Sequence, residues 1–103
     1  MKSYEHITQM ENILDDHQAL IDQLEPLFEA FSEHQQKYNH LAEYYSSQQF
    51  LDDFDEANTP SFPKDIKCGV LSEDAVYNLL TENHQIALRM LEIALNILKD
   101  ETA

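Results

Sequence analysis

The chain has one cysteine, one glycine and only six Lys and Arg residues against twenty acids. Each shortage excludes something. A lone Cys68 leaves no intrachain disulfide, which fits a reducing compartment. A single glycine, Gly69, rules out a glycine-rich loop that cradles phosphate. A net charge of −14 provides no basic footprint for DNA, RNA or an anionic membrane. Long apolar runs are missing too. The nearest, Val76 to Leu98, is broken by Glu82, Asn83, His84, Arg89, Glu92 and Asn96, so no membrane span is expected. The first residues show no basic stretch followed by an apolar core. No signal peptide is expected, and the chain reads as cytoplasmic.

What is present is a seven-residue beat through the first 45 residues. One row is Ile7, Leu14, Ile21, Phe28, Gln35, Ala42. A second is Met10, His17, Leu24, Phe31, Tyr38, Tyr45. A third is Ile13, Leu20, Leu27, His34, Leu41. The other positions are nearly all polar. This is an amphipathic helix with a wide apolar stripe, expected over about residues 3–45. Pro26 falls on the face opposite the stripe. A kinked continuous helix is the expectation there, with a break into two helices as the alternative. The stripe weakens between His34 and His40, the other place for a turn.

Ser46-Ser47 ends this helix and offers a cap to a short one over about 48–56, with Phe50, Leu51 and Phe54 on one side. Residues 57–71 read as a loop. Within it, Pro63 to Cys68 is expected to make one turn, and Gly69 to take a positive backbone dihedral. Ser72 opens the last helix, about 73–99, with Glu73 and Asp74 in its first turn and Leu71 and Val76 placed as a hydrophobic staple. Its inner row is Val76, Leu79, Asn83, Ile86, Met90, Ile93, Ile97. After Gln85 it is apolar nearly all round.

The fold class expected is therefore all-α. A long kinked N-terminal helix, a short middle helix and a long C-terminal helix packed antiparallel form one domain over 1–103. Phe28, Phe31, Met90 and Ile93 are expected to face packed seams. A 12.0 kDa chain folded compactly exposes roughly 6,000 Å² of the roughly 17,000 Å² of its open form, so much surface needs cover. Leaving Leu88, Leu91, Leu95 and Leu98 wet forgoes several kcal/mol at about 25 cal/mol per Å². These four are the candidate interface of a homodimer.

Chemistry is scarce. Di-metal bundles use Glu-x-x-His, yet the residues three before His6, His17, His34, His40 and His84 are Ser3, Leu14, Phe31, Lys37 and Thr81. His17 and His34 lie in the stripe and read as partly buried, hydrogen-bonded histidines. Asp52, Asp53, Asp55 and Glu56 form the densest acidic patch, but no glycine follows to bend a calcium loop, and a solvated helix end is the reading. Cys68 has Lys67 before it and no histidine close in sequence, so it reads as a small structural residue. No catalytic residue, metal or cofactor is expected. The aromatic group Tyr44, Tyr45, Phe50 and Phe54 is the candidate partner-binding patch.

The stretch Ala42-Glu43-Tyr44-Tyr45-Ser46-Ser47-Gln48-Gln49-Phe50-Leu51-Asp52-Asp53-Phe54, followed by Lys67-Cys68-Gly69-Val70 and Leu71-Ser72-Glu73-Asp74-Ala75-Val76-Tyr77, resembles a family of short bacterial proteins known as domain of unknown function 4298. The resemblance covers nearly the whole chain, and Gly69 to Ala75 is its most specific part. Two departures stand out: Ser46 stands where a glycine often follows the Tyr-Tyr pair, and Phe50 where a tryptophan is common. The family implies no activity. Some relatives look like products of bacteriocin-like-peptide loci, which implies a role in immunity or regulation. The expected function is thus a non-enzymatic module binding a protein or peptide. The alternatives are a bacteriocin-type immunity or regulatory factor, and an acidic inhibitor mimicking nucleic acid.

Overall fold

The computed structural model describes residues 2–102. The described residues form three α-helices and no strand: α1 Glu5–Tyr45, α2 Gln48–Ala57 and α3 Ala75–Thr102. A short 3-10 turn, Gly69–Leu71, precedes α3. The chain divides into two compact units, Met1–Tyr38 and Asn39–Ala103.

The first unit is α1 up to Tyr38. Pro26 lies inside the helix, which does not end there. Proline removes the bond its N–H would give to the carbonyl of Asp22 and costs about 3 kcal/mol in a helix interior. Its outward position lets water serve that carbonyl. Nothing in residues 2–34 is buried. The stripe residues Phe28 and Phe31 are 50% and 38% exposed.

The second unit begins with the last turns of α1. Two bonds make the turn that ends α1: Ser46 N–H donates to Glu43 O at 3.2 Å, and Ser47 N–H to Tyr44 O at 3.0 Å. Ser47 Oγ then accepts from the Phe50 N–H at 3.3 Å, satisfying one of the orphan donors that open α2. The same hydroxyl donates back to Tyr44 O. One serine thus ties the end of one helix to the start of the next. α2 stops at Asn58, whose side-chain amide donates to Phe54 O at 2.9 Å, while Thr59 Oγ1 donates to Glu56 O at 2.7 Å.

The 3-10 turn packs against both α2 and α3. Its dihedrals correct the expectation for Gly69: the backbone is not left-handed there. The turn expected over 63–68 is present at Lys64 and Asp65, and a separate 3-10 turn follows at Gly69–Leu71. A Cβ at Gly69 would meet nothing within 4 Å, so neither conformation nor space demands a glycine. Ser72 Oγ caps α3 by accepting from the Ala75 N–H at 3.1 Å, with Glu73 and Asp74 forming the turn before it. Leu71, half-buried, and Val76, 2% exposed, stand at the two staple positions of that cap.

Among the described residues only Phe50 and Val76 are buried. Beyond its first turns α3 keeps its rows in contact with water: Ile93 is 54% exposed, and Met90 is half-buried. The burial expected of Phe28, Phe31 and Ile93 is not met. Periodicity states that a face needs covering; it does not say that the covering surface belongs to the same chain.

Candidate functional site: an aromatic corner and two exposed seams

The four aromatic residues singled out from the sequence meet at the corner between α1 and α2. Phe50 is the centre, at 8% exposure. Tyr44 and Tyr45 meet it edge-on, with ring centroids at 5.6 and 5.0 Å and planes at 79° and 68°. Phe54 stacks on its other side, at 6.4 Å and 28°. Edge-to-face geometry suits rings whose faces are negative and edges positive. Tyr44, Tyr45 and Phe54 are half-buried around Phe50. The group is thus a small core with an aromatic rim, and Phe50 offers almost no surface of its own.

Asp53 locks the corner. Tyr44 Oη donates to its Oδ2 at 2.6 Å, and Gln49 Nε2 donates to its Oδ1 at 2.8 Å. The bond to Asp53, with partial burial and the nearby carboxylate charge, pushes the Tyr44 phenol up to about 12. The phenol therefore stays protonated across the physiological range. Sequence reasoning did not find this pair. Helical spacing relates residues three, four or seven apart, whereas Tyr44 and Asp53 stand on different helices across a turn.

Beside the Tyr44–Asp53 bond lies an open cavity of about 270 Å³, lined by Phe62, Ile66, Val70 and Leu71 together with Glu56, Lys67 and Cys68. Cys68 is exposed. The rest of the acidic patch decorates the surface of α2: Asp52 accepts from Gln48 Nε2 at 3.0 Å, one turn back. His17 and His34 are exposed rather than partly buried, as are His6, His40 and His84. Among the described residues no three His, Cys, Asp or Glu side chains are grouped to hold a metal ion. No helix formed by them is long and apolar enough to cross a membrane.

The candidate interface residues stand on α3 at spacings of three and four. Leu88, Leu91, Leu95 and Leu98 are 49%, 57%, 58% and 58% exposed. The stripe of α1 presents Ile7, Met10, Ile13, Leu14, Leu20, Ile21, Leu24 and Leu27 in the same way.

A helical corner held by aromatic rings, with long helices whose apolar rows are open, defines a class: an acidic all-α protein with large uncovered helix faces. The chain belongs to the family described as a domain of unknown function (DUF4298), whose pattern matches residues 7–93. No curated protein and no solved structure matches it.

Proposed function

We propose that this chain is a non-enzymatic, cytoplasmic module that binds a protein or peptide, and that it does so as a homodimer. The leucine row of α3 pairs with its copy.

The observation that carries this reading is the exposure of Leu88, Leu91, Leu95 and Leu98. Their spacing is that of a helix–helix seam, and a contiguous apolar row of this kind marks an interaction surface. Tyr44, Tyr45 and Phe54, seated around Phe50, form the firm end of the binding surface.

Sedimentation at several protein concentrations tests the pairing. The wild-type chain should run as a dimer, and Leu91→Glu with Leu95→Glu should run as a monomer that keeps its helix content. A wild-type chain that is monomeric at every concentration would overturn the homodimer. A pull-down from cells that express the chain naturally, returning no protein partner, would overturn the binding role.

A further inference from the structure

We infer that the Ile7–Leu14–Ile21–Phe28 edge of α1 is a docking face for an amphipathic helix of another protein whose apolar row is bordered by Lys and Arg. The inference rests on the reading of the chain as a protein-binding module.

The two borders of the α1 stripe differ. Beside the Ile7–Phe28 row, on the side away from the other two rows, stand Glu11, Asp15, Asp22, Glu25 and Glu29. The opposite border, beside Ile13, Leu20 and Leu27, is less acidic: it holds Gln9, Asp16, Gln23 and Ala30, with Glu5 and Glu33 one position further round the helix. α3 carries Arg89 and Lys99 against Glu82, Glu92, Asp100 and Glu101, so it is itself net acidic and offers positive charge to neither border. The acidic border needs positive charge.

This chain cannot supply it. Between Ser3 and Gln36 there are eight acids and no Lys or Arg. A second copy presenting its own α1 would set carboxylates against carboxylates along the whole face. One presenting α3 brings no surplus of positive charge. Like charges along a contact act against the wrong partner, while opposite ones favour and steer the right one.

The face is also open. Ile7, Leu14, Ile21 and Phe28 are 51%, 61%, 43% and 50% exposed. Of the border acids, Asp22 accepts a bond from Gln18 Nε2 at 2.9 Å, which holds its carboxylate beside the row. Apolar positions one heptad apart, flanked by charge on one side, are what a helix-in-groove partner reads.

The test uses the full-length protein and two synthetic helical peptides of about 20 residues. Both carry the same leucine row, flanked by lysines in one and by glutamates in the other. Fluorescence anisotropy should show binding of the lysine peptide, weakened by salt, and none of the glutamate peptide. Asp15→Asn, Asp22→Asn and Glu29→Gln together should weaken the lysine peptide about tenfold without changing helix content, since all three are surface residues. Equal binding of both peptides would leave the module reading standing and remove the cationic partner. Binding of the lysine peptide unaffected by the triple substitution would move the site off this face and overturn the inference. Binding of neither, with the wild-type chain dimeric, would mean that a copy or α3 covers the stripe, and the inference falls while the homodimer stands.

Discussion

Replacing Phe50 by alanine removes the centre of the corner, and the structure sets the size of the effect. The ring is 8% exposed and touches Tyr44, Tyr45 and Phe54. Burying about 150 Å² of such a side chain at about 25 cal/mol per Å² is worth about 4 kcal/mol. Residual burial in the unfolded chain lowers this to about 3 kcal/mol, the low end for phenylalanine deletions that leave a cavity. With a urea dependence of about 1–1.5 kcal/mol per molar for so small a unit, the midpoint should fall by about 2 M or more. Near-ultraviolet circular dichroism reports the event, because Tyr44 and Tyr45 lose the ring that fixes them. The loss should not depend on protein concentration, since Phe50 is enclosed by side chains of its own chain. A change below about 1 kcal/mol would refute the claim that this ring organises the corner. A loss that vanished at high concentration would place Phe50 at an interface between chains.

Three further outcomes follow from the same geometry. Tyr44 keeps its proton to about pH 12 in the fold, while an unfolded tyrosine loses it near 10. Stability from the Tyr44–Asp53 bond is thus full below about pH 10 and fades between about 10 and 12. Urea midpoints across that window should fall in the wild-type chain more than in Tyr44→Phe, and the phenolate absorbance developing near 12 should be missing from the variant; parallel profiles would contradict the assignment. Ser47→Ala should cost about 1 kcal/mol in urea denaturation, because both the cap on Phe50 N–H and the bond to Tyr44 O are lost. Gly69→Ala should raise the thermal midpoint, by the equivalent of about 0.4–1 kcal/mol, since a right-handed backbone with nothing within 4 Å gains from a stiffer unfolded chain; a lowered midpoint would show that the glycine is needed.

Much of the local architecture was legible from spacing alone. The rows through Ile7, Met10 and Ile13 announce a helix because only a helix brings such positions to one side. Ser47 and Ser72 stood out as caps because their hydroxyls replace missing backbone partners. The aromatic group was legible as a group, since Tyr44, Tyr45, Phe50 and Phe54 flank one turn. Its internal order was not. Nothing in the spacing distinguishes Phe50, which is enclosed, from Leu51 beside it, which is 55% exposed. The fate of Gly69 was misread for a related reason: a lone glycine after a loop suggests a left-handed stop, yet the packing of the 3-10 turn on α2 and α3 holds it right-handed.

By itself the amino-acid order determined that the chain is helical and which faces of α1 and α3 are apolar. Both are local properties, dictated by side chains a few residues apart on one backbone. Tertiary structure alone decided that Phe50 is the enclosed ring and that Tyr44 meets Asp53. Those outcomes depend on the angle at which one helix leaves another. That angle emerges only when the Ser46–Ser47 turn, the ring contacts and the 3-10 turn are satisfied at once.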